Sequence, residues 1–245
     1  MPEIVVLVLA ASGTALATGL GAVPVFLLGR RASALSSPLL GFAAGAMTLA
    51  AFTGLLRPAA EEGSVASVLG GLLVGVAFVL LARRLLPPDH GFLGRRGPDA
   101  STSALVFLVL FVHSLPEGFA VGTAFASDRA GLSLFVILAI AIQNIPEGTS
   151  VALPMREAGF GPARQFWVAV ATSLPQPIGA VAAWLAVESL GGLLPFSFAF
   201  AAGAMLTIVV VEMVPRAWAG RRLGALAGAL AGGATMAALS LALGV

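Results

Sequence analysis

Apolar runs of about 20 residues, the length a helix needs to cross a hydrocarbon core, recur along almost the whole chain. Eight are read here, at 4–29, 38–60, 64–82, 103–126, 131–154, 163–188, 194–215 and 223–244. Inside a bilayer every backbone N–H and C=O must be bonded internally, and for segments of this length the helix does that. The expected fold is therefore an all-α membrane protein, one polytopic domain over residues 1–245. Composition agrees: 10% of residues are charged, where soluble domains carry about a quarter, and mean hydropathy is +1.03. The first run lacks a basic leader and reaches Arg30-Arg31 without a cleavage site, so it reads as a retained helix.

The arginines set the expected orientation. With eight spans, Arg30, Arg31, Arg83, Arg84, Arg95, Arg96, Arg156, Arg164, Arg216, Arg221 and Arg222 fall on one side, against Arg57 and Arg129 on the other. Positive charge stays cytoplasmic, so both termini are expected outside the cytoplasm, and the 83–101 connection becomes the main cytoplasmic loop. A seven-span count would scramble this asymmetry. The basic residues are scattered rather than gathered in one patch, which excludes nucleic acid as a partner and leaves the lipid bilayer. There is no Cys, hence no disulfide and no thiolate ligand.

Two stretches repeat. Gly41-Phe42-Ala43-Ala44-Gly45-Ala46-Met47 matches Ala199-Phe200-Ala201-Ala202-Gly203-Ala204-Met205, with six consecutive identities. The second span runs outward and the seventh inward, so this repeat is inverted, as in secondary transporters whose sites lie where repeats meet. Chance likeness between small-residue membrane helices is the plainer alternative. The fourth and fifth spans form a separate pair, giving a 3+2+3 plan.

That pair carries His113-Ser114-Leu115-Pro116-Glu117-Gly118 and Gln143-Asn144-Ile145-Pro146-Glu147-Gly148. Each copy puts a carboxylate at bilayer depth, where a charge costs about 2.5–3.5 kcal/mol or more unless it faces a partner or a wet cavity. Positions i and i+4 share a helix face, so His113 stacks over Glu117 and Gln143 over Glu147. Proline before each Glu leaves the carbonyls of Val112 and Ile142 without their usual donors and is expected to kink both helices. Gly118 and Gly148 then admit a neighbouring helix or an ion. Two packing helices with protonated glutamates would be the bland reading, but duplication of the whole polar unit points to a shared cation site.

Other polar residues are less specific. Gln176, among the helix-breaking prolines of Thr172-Ser173-Leu174-Pro175-Gln176-Pro177, can line the site or cap freed carbonyls. Met47 can supply a thioether or fill core. Glu212 can pair with Arg216 at i+4 or serve an exit path. Asp89 and His90 read as a solvated turn in the cytoplasmic loop. Glu61 and Glu62, outside, can attract cations or merely be solvated.

The paired Pro-Glu-Gly motifs, with the span count and loop pattern, resemble the ZIP (Zrt-/Irt-like) family of divalent metal transporters, closest to its bacterial branch, over essentially the whole chain. The resemblance implies a main metal site of His113, Glu117, Gln143 and Glu147 with Met47 as a soft ligand, and a neighbouring site at Ser114, Glu117, Asn144, Glu147 and Gln176. The family often has Asn where Ser114 stands, Glu where Gln176 stands, and a further carboxylate or His among the fifth-span ligands. With only two carboxylates, a second divalent ion would be poorly compensated, so one ion is expected. The resemblance implies a cargo rather than a catalytic cofactor, in a bacterial inner membrane, and allows a homodimer.

A mixed N/O donor set with one sulfur suits Zn²⁺ best, with Fe²⁺, Mn²⁺, Co²⁺ and Cd²⁺ also served. The expected function is uptake of zinc by alternating access, with release as the site-bearing bundle shifts against its neighbours. A passive cation channel using the same glutamates is the rival. An intramembrane zinc hydrolase, which needs three protein ligands plus water, is disfavoured by the single membrane His and the lack of a His-Glu-x-x-His helix.

Overall fold

A computed structural model describes residues 2–85, 98–129, 131–190 and 192–245. In chain order the helices are α1 (Pro2–Leu20), α2 (Ala22–Leu28), α3 (Ser36–Ala51), α4 (Arg57–Glu62), α5 (Val65–Leu85), α6 (Pro98–Phe125), α7 (Leu132–Glu157), α8 (Pro162–Thr172), α9 (Pro175–Ser189), α10 (Leu194–Ile208), α11 (Val214–Ala219) and α12 (Arg222–Leu243). There is no strand among the described residues. Seven segments are long and apolar enough to cross a membrane: Glu3–Leu28, Arg31–Glu62, Val65–Leu85, Leu132–Glu157, Pro162–Ser189, Leu194–Ala219 and Arg222–Leu243. The expected run at 103–126 falls on the 28-residue α6 and the turn residue after it, and α6 is not among those seven. Pro87, Pro88, Asp89, His90, Arg95 and Arg96 of the expected cytoplasmic loop lie outside the described residues.

Prolines dictate the local irregularities, and of the prolines the sequence singled out only those of the sixth span break a helix. α6 and α7 stay helical through Pro116 and Pro146. The interruption falls instead at Ser173-Leu174, ahead of Pro175, whose ring cannot follow the carbonyl of Ala171 in an unbroken helix. Two further prolines widen the helix without breaking it. Phe52–Leu56 and Val209–Met213 are single π-helical turns, followed by Pro58 and Pro215. Neither proline can donate to the carbonyl four residues back, and the ladder shifts to i−5: Arg57 N–H bonds Phe52 O, and Val214 N–H bonds Val209 O.

Small residues let the backbones meet. A Cβ on Gly41 or Gly45 would strike the carbonyls of Ala225 or Ala229, and on Gly228 or Gly232 those of Pro38 or Phe42, so α3 and α12 interlock along their length. α5 and α10 do the same through Gly71, Gly75 and Gly203 against Phe196, Phe200 and Leu72. Because lipid is as apolar as leucine, contact of this kind, rather than water exclusion, holds membrane helices together. The main core sits between α3, α7 and α10, filled by Met47, Leu55, Phe135, Ile140, Phe198, Met205 and Ile208.

Candidate functional site

The glycines of the two hexapeptides resolve the choice between helix and ion in favour of a helix. A Cβ on Gly118 would overlap the carbonyl of Gln176, and Gly122 and Gly179 continue that seam between α6 and α9. A Cβ on Gly148 would overlap the carbonyl of Thr18, and Gly21 meets Ile145 in return, so α7 lies on α1. With these faces taken, Glu117 and Glu147 are buried in the interior.

Amide groups surround Glu117. Gln143 Nε2 donates to its Oε1 at 3.1 Å, and Gln176 Nε2 donates to its Oε2 at 2.7 Å. Gln176 Oε1 accepts from Thr14 Oγ1 at 2.7 Å and from Asn144 Nδ2 at 3.3 Å. Asn144 Nδ2 also reaches the carbonyl of Thr14 at 2.8 Å. One helical turn further along α1, Thr18 Oγ1 and Ser173 Oγ share a hydrogen bond of 2.6 Å. Four helices, α1, α6, α7 and α9, thus contribute to one buried polar seam.

The seam is incomplete on one side. Gln143 Oε1, Asn144 Oδ1 and Glu147 Oε1 are buried without a hydrogen-bond partner. An orphaned buried acceptor costs about 1–3 kcal/mol, and three of them lie within five residues of α7. Among the described residues no three His, Cys, Asp or Glu side chains cluster tightly enough to hold a metal by themselves, so a cation held here would need amide oxygens as well as carboxylates. One turn along both helices, Ala50, Leu55, Ala120, Ile140 and Met205 line an apolar void of about 10 Å³, a dry wall beside a polar centre.

The remaining candidates are distributed differently. His113 is buried, and its Nε2 stands 3.3 Å from Glu212 Oε2, turning it toward the π-helical turn after α10. Glu212 also receives Arg83 Nε at 3.2 Å and Arg216 at 3.8 Å, so the expected i+4 pair is the longest of its three contacts. Met47 is fully buried in the main core on α3. Ser114 is buried on α6. On the opposite side Glu61 and Glu62 are not merely solvated: Arg129 bonds both, at 2.7 and 2.5 Å, and Arg57 bonds Glu61 at 2.9 Å. Sequence reasoning passed over Thr14, Thr18 and Arg83. Two threonines at i and i+4 in an otherwise apolar run were the available sign.

Residues 96–240 match the family profile described as "ZIP Zinc transporter". The zinc transporter GufA of Myxococcus xanthus is 35% identical over 83% of this chain and 85% of its own length. The chain belongs to the ZIP family. Zinc transporter ZIPB of Bordetella bronchiseptica is 34% identical over 93% of the chain and 78% of its own length. A longer Arabidopsis thaliana protein is 38% identical over 83% of the chain, a match spanning 33% of that protein. ZIP membership together with the apolar helices makes this a multi-pass membrane protein whose relatives are transporters.

Proposed function

We propose that this ZIP protein carries one divalent transition metal, zinc foremost, into the cytoplasm by alternating access, through a site between α6 and α7. The observation that carries the reading is the set of three partnerless oxygens, on Gln143, Asn144 and Glu147, beside the buried carboxyl of Glu117. Glu117, Gln143 and Glu147 bind the ion, His113 and Met47 swing to it from α6 and α3, and Asn144, Gln176 and Ser114 complete the wall. Fe²⁺, Mn²⁺, Co²⁺ and Cd²⁺ fit the same donors. Two carboxylates balance one divalent ion and not two.

With α6 counted as the fourth span, this reading has eight spans in a 3+2+3 order and outward-facing termini in a bacterial inner membrane. The inverted repeat gains support from the pairing pattern. Exchanging the first three spans with the last three, and α6 with α7, turns the α3/α12 pair into α10/α5 and the α1/α7 pair into α9/α6. The two π-helical turns obey the same displacement as the repeated heptapeptide to within one residue. The bundle of α1, α6, α7 and α9 then moves as one body against α3, α5, α10 and α12. A homodimer is compatible with this arrangement.

The test is zinc uptake into proteoliposomes. Glu117→Gln and Glu147→Gln are each expected to lower saturable flux by at least about a hundredfold, since a neutral amide cannot offset the ion's charge in a low dielectric. Full flux in either variant, or no anomalous signal between α6 and α7 after a zinc soak, rejects the proposal. Single-channel currents would establish the passive channel instead.

A further inference from the structure

Glu117 has two carboxyl oxygens, and their surroundings are not equivalent. The backbone carbonyl of Thr14 can only accept, so the Asn144 atom 2.8 Å away is its amide nitrogen. That nitrogen faces Gln176 at 3.3 Å, so the Gln176 atom there is its oxygen, which also stands 2.7 Å from the Thr14 hydroxyl, whose one proton is shared with the carbonyl of Ala11 at 2.7 Å. The other end of the Gln176 amide is then necessarily nitrogen, and it meets Glu117 Oε2 at 2.7 Å. A half-turn of this amide would set nitrogen against nitrogen at Asn144 and oxygen against a carboxylate at Glu117. Thr14, Asn144 and Gln176 are all buried, so no water relieves a wrong orientation.

Gln143 is held by nothing comparable. Its Nε2 bond to Glu117 Oε1 is longer, at 3.1 Å, and its own Oε1 is free of partners. Turning that amide exchanges a donor for an acceptor and opens Oε1 of Glu117 to an ion at the same time. We infer that Thr14 and Gln176 act as a lock on Glu117, reserving Oε2 for the Gln176 N–H and leaving Oε1 as the single oxygen offered to the cargo. Gln176 is a positioning residue in this account, and Thr14 positions Gln176.

Denticity bears on selectivity. Four-coordinate Zn²⁺ is satisfied by one oxygen from each carboxylate, whereas larger, harder ions such as Mn²⁺ take about six oxygen ligands and gain from two-oxygen carboxylates. Keeping Glu117 to one oxygen therefore favours zinc. The inference rests on the proposed metal site, and the experiment separates the two.

The experiment is competition of Mn²⁺ against Zn²⁺ for the purified full chain in nanodiscs, using the metals alone, with a structure of the zinc-loaded wild type beside it. Gln176→Leu frees Oε2 and is expected to raise affinity for Mn²⁺ relative to Zn²⁺ about tenfold, the scale of one charge-assisted hydrogen bond. Thr14→Val, which keeps the backbone carbonyl, moves the ratio in the same direction by less, and Thr14→Ser returns it to the wild-type value. The zinc-loaded wild type shows Glu117 bonded to the ion through Oε1 only. An unmoved ratio in Gln176→Leu, or both Glu117 oxygens on zinc, overturns the lock while leaving the metal site intact. Wild type that binds neither ion removes the proposed function and the lock with it.

Discussion

The α3/α12 and α5/α10 pairs and the α1/α7 and α6/α9 pairs are built by the same device, glycine against a carbonyl of the facing helix, yet only the second set carries the polar seam around Glu117. Across α3 and α12 the contacts are Gly41, Gly45, Gly228 and Gly232 against backbone. Across α1, α7, α6 and α9 the same contacts sit beside Thr14, Thr18, Asn144, Gln143, Gln176 and Glu117. Close packing is thus common to the whole molecule, and what singles out the site is polar chemistry placed where the backbones already touch. In lipid the glycine contacts supply association, and the hydrogen bonds fix orientation.

Methyl groups added to the two sets of seams test that division with the largest expected effect. Gly118→Ala and Gly228→Ala each drive a Cβ into a backbone carbonyl, and such overpacking typically costs about 1–3 kcal/mol. Both are expected to lower the thermal midpoint in detergent by similar amounts. Gly118→Ala also pushes Gln176 away from Glu117 and is expected to weaken zinc binding by more than tenfold, whereas Gly228→Ala leaves the affinity of the folded fraction unchanged. Equal binding losses, measured by isothermal titration, would break the distinction.

Much of this was legible in the sequence because bilayer physics makes apolar length and intramembrane carboxylates conspicuous. Glu117, Gln143 and Gln176, singled out by residue type and spacing, and Asn144, which the family resemblance implied, come together in the structure. The parts that were not legible have physical reasons. Threonine in a membrane helix normally bonds its own backbone, as Thr48, Thr53 and Thr207 do and as Thr14 does at Ala11, so beyond the Thr14/Thr18 spacing nothing marks Thr14 as reaching another helix. A proline inside an apolar run signals a lost hydrogen bond but not its consequence: Pro116 and Pro146 leave the helix whole, Pro58 and Pro215 widen it, and Pro175 stands where it stops. Arg83 reaches Glu212 from another span, a contact that spacing along one helix cannot show.

The His113–Glu212 contact sharpens the comparison, because it ties a site helix to the α5/α10 pair. Replacing Glu212 by Gln leaves Arg83 and Arg216 without their counter-charge and loosens His113. Breaking a fully buried pair costs about 3–5 kcal/mol. Arg83 and Arg216 remain 43% and 33% exposed, and solvent screening reduces that to about 1–2 kcal/mol. The expected result is a modest drop in thermal midpoint with a slower release of bound zinc, as His113 becomes free to bind the ion. Unchanged zinc release would confine Glu212 to structure.

The smallest effect belongs to the opposite rim, where Arg129 spans from the α6–α7 connection to Glu61 and Glu62 at the end of α4. This is again a tie between the two sets of helices, but an exposed one, with Arg129 one-third accessible and Glu61 more so. Ion pairs in water contribute little because hydration competes with them and salt screens them. Arg129→Ala is therefore expected to leave the thermal midpoint nearly unchanged, while freeing Glu62 and leaving Glu61 to Arg57 alone. The consequence to look for is kinetic: zinc uptake at low ionic strength should rise through attraction of the cation to the bared acids, and the gain should vanish at high salt. A rise that persists at high salt would mean that Arg129 restrains the motion of the site-bearing helices themselves, and the inner tie at Glu212 and the outer tie at Arg129 would then be equivalent in kind.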